Sequence, residues 1–207
     1  GNQIFYAIHH APHKAAKRFV DGQNAAGWGL DLGCGAGAHF PYYSHKLHTI
    51  GLDNNIEALR IFKNNHPDAI LVQGDACSLP FKNEAFAYVV SIYNLEHVYF
   101  LEYALENILR VLAPDGYLIA GLPCEGGLAW GLGRMLTSVP YASKTYGIDY
   151  RKVVRIEHCN TADRVFKAVK YRFHEVASAT FPFPFLPTVH LNLAMTKLFK
   201  KGREGIV

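Results

Sequence analysis

Three acids follow short apolar runs: Asp31 within Gly29-Leu30-Asp31-Leu32, Asp53 after the run Leu47 to Leu52, and Asp75 after Ala69 to Val72. Between the first two lies Gly33-Cys34-Gly35-Ala36-Gly37. Glycines let a backbone turn sharply with no Cβ in the way, so a ligand can lie against it. A helix starting after such a loop points its positive end at that ligand. Gly33-x-Gly35-x-x-Ala38 fits the dinucleotide fingerprint, with Asp53 about 20 positions on for a ribose. Asp31 argues for a different ligand. A buried carboxylate repels a pyrophosphate and favours a cation. Asp75, in Gly74-Asp75-Ala76, can accept a hydrogen bond from an exocyclic amine such as that of adenine. Taken singly, Asp53 also reads as a helix cap and Asp75 as a turn residue. Taken together in order, the acids suit a ligand with a ribose, an adenine and a positive charge but no phosphates. S-adenosylmethionine has those parts.

The elements that must position these residues alternate along the first two thirds of the chain. Short strands are expected at Gly29–Leu32, 47–52, 69–72, 87–91 and 117–122. Helical spacing of Ile56, Leu59, Ile61 and Phe62 predicts a helix over 55–66, stopped by Pro67. Leu101, Leu105, Ile108 and Leu112 predict another over 100–112, with Pro114-Asp115-Gly116 as the turn. Apolar strands alternating with helices belong to a parallel sheet covered on both faces. The expectation is an α/β fold: a single-domain, doubly wound, mostly parallel sheet with helices on both faces. Ligands of such sheets bind beyond the carboxyl ends of the strands.

The stretch from Trp28 to Cys124 resembles the class I, Rossmann-like S-adenosylmethionine-dependent methyltransferases, in particular the type 11 methyltransferase domain. Leu30-Asp31-Leu32-Gly33-Cys34-Gly35-Ala36-Gly37 is similar to the family's glycine motif, and Leu52-Asp53-Asn54 to its acidic motif. Gly74-Asp75-Ala76 with Leu79-Pro80-Phe81 is similar to its adenine motif. Ser91-Ile92-Tyr93-Asn94-Leu95-Glu96-His97 and Arg110-Val111-Leu112-Ala113-Pro114-Asp115-Gly116 complete the series. The departures are Asp115, where the family usually has Gly, and Ala87, where it usually has Asp. The resemblance implies that Asp31, Gly33 and Gly35 hold the methionine part, with Cys34 as a small side chain beside it. Asp53 with Asn54 would hold the ribose, Asp75 and Ala76 the base, and Ile92 and Tyr93 the border between cofactor and acceptor. It also implies that the last two strands pair antiparallel at the sheet edge.

The remaining chain divides into an N-terminal helical segment (1–26), an insertion over 125–160 after the fifth strand, and a C-terminal helix with strands (161–207) around the core (27–124). The insertion, rich in glycine and aromatics, is expected to be partly helical and to lie over the acceptor site, with simple packing as the alternative. Thr161 caps a helix carrying Val165, Phe166 and Val169, and Phe173 to Thr180 and Leu191 to Phe199 read as strands. The proline-rich 181–187 is excluded from a central strand.

The 207 residues carry 21 Lys+Arg against 17 Asp+Glu, a net +4 without a clustered basic face, so no nucleic-acid partner is expected. Lys197, Lys200, Lys201 and Arg203 read as a solvated tail. His9-His10-x-x-His13 reads as surface, and no metal is expected. Four cysteines without a CxxC suggest reduced thiols in the cytoplasm, and no apolar run reaches a membrane span. The expected activity is methyl transfer from S-adenosylmethionine to a small-molecule or glycan-intermediate acceptor by in-line displacement. His97, Arg134 and His158 are the candidate acceptor contacts, and His97, Glu96 and His158 the candidate bases. The alternatives are a nucleotide (NAD)-dependent oxidoreductase and a non-catalytic S-adenosylmethionine-binding protein.

Overall fold

The computed structural model describes residues 2–23, 27–43, 48–125, 127–136 and 157–202, with isolated positions between 139 and 152. Seven strands form one sheet: β1 Gly29–Leu32, β2 Thr49–Asp53, β3 Ile70–Gln73, β4 Phe86–Ile92, β5 Leu112–Pro123, β6 Phe173–Phe181 and β7 Ala194–Lys201. Their order is β3-β2-β1-β4-β5-β7-β6. The first five are parallel, and β7 pairs antiparallel with both β5 and β6. The continuous α-helices among the described residues are α1 Asn2–Gln23, α2 Ile56–Asn65, α3 Leu101–Val111, α4 Leu128–Leu136 and α5 Ala162–Lys170. Among the described residues no helix is long and apolar enough to cross a membrane.

Strand alternation sends side chains to two cores. Val89, Leu118, Ala120 and Leu122 join α3 and α5 in one, through Leu105, Ile108, Val165 and Val169. Tyr88, Val90, Ile92 and Ile119 face α1, through Ala16 and Val20, in the other. The same alternation governs β1. Leu30 and Leu32 belong to the α3 side, so Asp31 between them points to the α1 side.

Helix caps follow the sequence. Asn55 caps α2 by accepting from the amides of Glu57 and Ala58, and Thr161 caps α5 by accepting from Arg164. Within α2, Leu59 and Phe62 are buried, but Ile56 and Ile61 are 40% and 52% exposed, so the apolar stripe is narrower than its spacing predicts.

Three other expectations change. No α-helix follows the glycine loop in the described residues; turns lead into one 3-10 turn, Phe40–Tyr42. Gly37 has φ +90°, and Pro41 has no N–H for a helical bond, so a regular helix cannot run through this stretch. Pro114-Asp115-Gly116 lies inside β5, where the pairing with β4 slips between Phe86 and Tyr88 and absorbs the bend. Of the basic stretch, Lys197, Lys200 and Lys201 lie in β7 rather than in a tail, and Arg203 lies outside the described residues. Lys197 is buried and pairs with Glu175 at 3.0 Å, and Lys201 donates to the Leu112 carbonyl at 2.7 Å.

Pro12 lies inside α1, so the Ile8 carbonyl lacks its helical donor. The Tyr93 hydroxyl supplies the missing hydrogen bond at 2.9 Å. Pro12 itself packs on Gly121, where an added Cβ would come within 3.1 Å of the proline Cβ.

Candidate functional site

A cleft of about 520 Å³ opens beyond the carboxyl ends of β1 to β4. The chain winds outward through β1, β2 and β3 and then returns to β4 on the other side of β1, so this is the switch point of strand order. Gly33 and Gly35 line the cleft after β1, and Asp53, Asn54 and Asn55 after β2. Gly74, Asp75, Ala76 and Cys77 line it after β3, and Tyr93, Asn94 and His97 after β4. An open groove of similar size between Glu102 and Arg172 has neither a glycine loop nor a strand end in its wall.

The loop is held by backbone and by one carboxylate. Gly33 and Cys34 both donate to the Leu52 carbonyl, at 2.8 and 3.1 Å. Gly35 donates to Asp53 Oδ2 at 2.8 Å, and the Asn55 amide donates to Asp53 Oδ1 at 2.8 Å. Each carboxylate oxygen keeps a second lone pair, so Asp53 can still accept from ligand hydroxyls. Asp75 takes the amide of Cys77 on Oδ1 at 2.8 Å. At the floor, Asn94 donates to Ser91 Oγ and Ser91 to the Leu32 carbonyl, both at 3.1 Å, which closes the gap between β1 and β4. Gly33 is required here: its φ is +77°, and a Cβ would lie 2.2 Å from Asn94 Cγ.

Of the ten residues expected to hold a cofactor, Gly33, Gly35, Asp53, Asn54, Asp75, Ala76 and Tyr93 line this cleft. Asp31, Cys34 and Ile92 are absent from its wall. Strand alternation turns Asp31 and Ile92 toward α1. Cys34 packs beneath the loop with Phe40, Leu59 and Phe62. Asp31 instead borders a void of about 10 Å³ with His39, Tyr42 and Tyr43, and its Oδ2 accepts from the Tyr43 hydroxyl at 2.8 Å. Burial pushes its carboxyl up to about 7, against the pull of the Tyr43 hydrogen bond and with the added repulsion of Asp53.

Beside Asp31, His10 and His13 of the group expected at the surface join His39, while His9 is exposed. His13 is buried, and its Nδ1 lies 3.0 Å from His39 Nδ1. His10 bonds the Tyr42 hydroxyl. Burial and neighbouring imidazoles bring His13 down to about 4 and His39 down to about 3. Both are neutral at pH 7, as an N–H···N contact requires of at least one partner. Among the described residues no set of three or more His, Cys, Asp or Glu is arranged to hold a metal.

At the acceptor end, His97 lines the cleft, and its Nδ1 lies 3.0 Å from the Glu157 carbonyl. A carbonyl only accepts, so Nδ1 carries the proton and Nε2 is left with a lone pair in the neutral ring. The His158 ring meets His97 edge-on at 4.4 Å. His158 Nδ1 lies 2.7 Å from Glu125 Oε2, an ion-pair distance although off the direction of a hydrogen bond. Burial lowers the His158 pKa, but Glu125, Glu96 and Glu157 outweigh it and the net shift is upward. Burial pushes Glu96 up to about 8. Glu96 Oε2, Glu125 Oε1 and Asn160 Oδ1 are buried with no hydrogen-bond partner among the described residues. Such atoms cost about 1–3 kcal/mol each when left unsatisfied. Glu125 and Asn160 were not singled out from the sequence; the signal for Glu125 was its place directly after β5. Arg134 falls in α4, and its side chain lies outside the described residues, as does most of the expected lid beyond it.

The family described as Methyltransferase domain matches residues 30–120. A demethylmenaquinone methyltransferase of Streptomyces avermitilis is 34% identical over 91 residues, which is 44% of this chain and 39% of that protein. A phthiotriol/phenolphthiotriol dimycocerosates methyltransferase of Mycobacterium leprae is 36% identical over 95 residues, 43% of this chain and 35% of that protein. The matched stretch thus spans about two fifths of the length of these relatives. Among solved structures, a possible histamine N-methyltransferase from Thermotoga maritima superposes with a TM-score of 0.66 at 20% identity, over 97% of this chain and 95% of that one. The N-methyltransferase NodS from Bradyrhizobium japonicum, in complex with S-adenosyl-L-homocysteine, gives 0.64 at 17% identity, over 91% and 85%. These likenesses extend the shared fold beyond residues 30–120 to nearly the whole chain.

Proposed function

We propose that the chain, whose residues 30–120 match the family described as Methyltransferase domain, is a class I methyltransferase that binds S-adenosylmethionine in the strand-end cleft and transfers its methyl group to a small-molecule acceptor. The observation that carries this is the charge of the cleft. Its wall has Asp53 and Asp75 and, among the described residues, no Lys or Arg. A dinucleotide would bring two phosphates to that wall without a cation to meet them. An adenosine with a cationic tail is attracted instead.

The residues fit such a ligand. Gly35 borders the cleft, and a Cβ there would meet no protein atom within 4 Å, so its backbone leaves room for a close-lying group. Asp53 accepts from the ribose hydroxyls while it anchors the loop. Asp75 accepts from the base amine, with Ala76 beside it. Gly33 and Gly35 underlie the methionine part. When bound, the cofactor supplies an electrophilic sulfonium methyl. The protein's work is then to align an acceptor lone pair with that carbon, which can lower a barrier by about 7–11 kcal/mol. His97, whose Nε2 keeps a lone pair, can accept a hydrogen bond from an acceptor at this end of the cleft. Tyr99 and Phe100, both exposed at the rim, give an acceptor apolar surface. The menaquinone and lipid acceptors in the names of the relatives support a small-molecule acceptor.

Titration calorimetry with S-adenosylmethionine, S-adenosylhomocysteine and NADH tests the reading. Binding of the first two and not the third is expected. NADH binding alone would overturn it.

A further inference from the structure

We propose that Glu96, Glu125 and Asn160, with His158, form the site that holds the acceptor's reacting group, and that this group is an amine. The inference rests on the methyltransferase reading above and names the substrate class for it.

The four residues form one connected patch beyond the ends of β4 and β5. Glu96 follows β4 by four residues and Glu125 follows β5 by two. The Asn160 amide donates to the Glu96 carbonyl at 3.0 Å. Asn160 Nδ2 donates to the carbonyls of Leu95 and Val98, at 3.3 and 2.7 Å. Two carbonyl partners fix that atom as the nitrogen, so the buried atom left over is the oxygen, an acceptor. Glu125 is drawn to His158, and the His158 ring rests against His97, which lines the cleft. The patch therefore adjoins the cleft at its β4 side, behind His97.

Three buried side-chain oxygens here want donors: Glu96 Oε2, Glu125 Oε1 and Asn160 Oδ1. A hydroxyl group offers one hydrogen, a ketone or aromatic carbon none. A protonated amine offers three. Charge points the same way. His158 faces both carboxyls, Glu125 the more strongly, so among the described residues of the patch one imidazole is set against two acids. Burial keeps Glu96 protonated near neutral pH, and an arriving amine can take that proton to form a buried ion pair. For transfer, the proton returns to Glu96 and frees the nitrogen lone pair. The nitrogen–carbon bond then forms as the carbon–sulfur bond breaks, and that electron pair stays on sulfur. The positive charge passes from sulfonium to the methylated ammonium, so the charge of the site is conserved through the step.

The test incubates the full chain with methyl-labelled S-adenosylmethionine and a metabolite extract and separates the products on a cation exchanger. Mass spectrometry then locates the label. The label is expected on nitrogen in the retained, basic fraction. Glu96→Gln, an isosteric change, is expected to lower that transfer by about 10²-fold while calorimetric affinity for S-adenosylhomocysteine is unchanged. Label confined to neutral or acidic products, label in no fraction although the cofactor binds, or undiminished transfer by Glu96→Gln overturns the amine site. Absence of cofactor binding by the unaltered chain instead overturns the methyltransferase reading. Should Glu96→Gln fail to fold, the fraction and atom labelled by the unaltered chain still decide.

Discussion

The hydroxyl of Tyr93 donates to the Ile8 carbonyl at 2.9 Å, at the point in α1 where Pro12 removes the helical donor. Tyr93 also lines the cleft and holds φ +55°, a conformation uncommon for a non-glycine residue. One residue thus repairs a helix on the α1 face of the sheet and lines the cleft at the strand ends. Tyr93→Phe leaves a partly buried carbonyl unpaired and is expected to cost about 1–2 kcal/mol of stability. In a Pro12→Ala background the helix supplies its own donor, and the same substitution should cost less than about 0.5 kcal/mol. Urea denaturation of the four proteins measures the difference. Equal costs in both backgrounds would refute the repair.

Gly33 and Gly35 separate folding from binding. Both have positive φ, but a Cβ on Gly33 strikes Asn94 at 2.2 Å while one on Gly35 meets nothing within 4 Å. Gly33→Ala combines backbone strain with that collision and should lower stability by about 2 kcal/mol or more. Gly35→Ala should cost only the backbone term, about 1–2 kcal/mol. Its Cβ enters the cleft, so S-adenosylhomocysteine affinity should fall by more than its stability does. Thermal melts and calorimetry on both variants check the order. A Gly35→Ala protein with full affinity would place the ligand elsewhere.

What the sequence made legible follows from which forces are local. β1 was readable to the residue, because four apolar-flanked positions before a glycine run leave little choice. The cap Thr161 was readable because capping is decided within a turn, whereas Asn55, read as the first helical residue, is the cap of α2. The direction of Asp31 was not read, though alternation with Leu30 and Leu32 contained it: which face of the sheet carries the ligand is a tertiary fact. His13 and His39 are 26 positions apart, and nothing near either one signals that they meet. Lys197 and Lys201 read as a tail because their partners, Glu175 and the Leu112 carbonyl, come from other strands. Glu125 and Asn160 become notable only as orphans, and an unpaired oxygen has no sequence signature.

The His13–His39 contact predicts an acid limb. Both folded values lie below 6.5, so the unfolded chain binds more protons between about 4 and 6.5. The contribution is complete above the unfolded value and is lost as pH falls through the folded ones. For His13 alone the lowering corresponds to roughly 3 kcal/mol, and the two are coupled, so they do not add. Chemical denaturation from pH 7 to pH 4 should show the decline, and His39→Phe should flatten it. An unaltered slope in that variant would remove the pair from the account.

Asp31 acts in the opposite sense. Its folded value of about 7 exceeds the ordinary 3.8, so between these limits the folded state holds the proton that the unfolded chain has released. Stability from this group is full below the unfolded value and is lost as pH rises through the folded one. Glu96, at about 8, adds a decline of the same sign, so the total curve does not isolate Asp31. The difference between the unaltered chain and Asp31→Asn does. Asparagine keeps the shape and can still accept from the Tyr43 hydroxyl, but it has no proton to lose. The variant should therefore gain on the unaltered chain as pH rises from 5 to 8, by about 2–3 kcal/mol. Guanidinium denaturation at intervals across that range gives the gap directly. A gap that stays constant with pH would mean that Asp31 is already ionised beside Tyr43, and that the strand-end acid faces a cation or water instead of a dry wall.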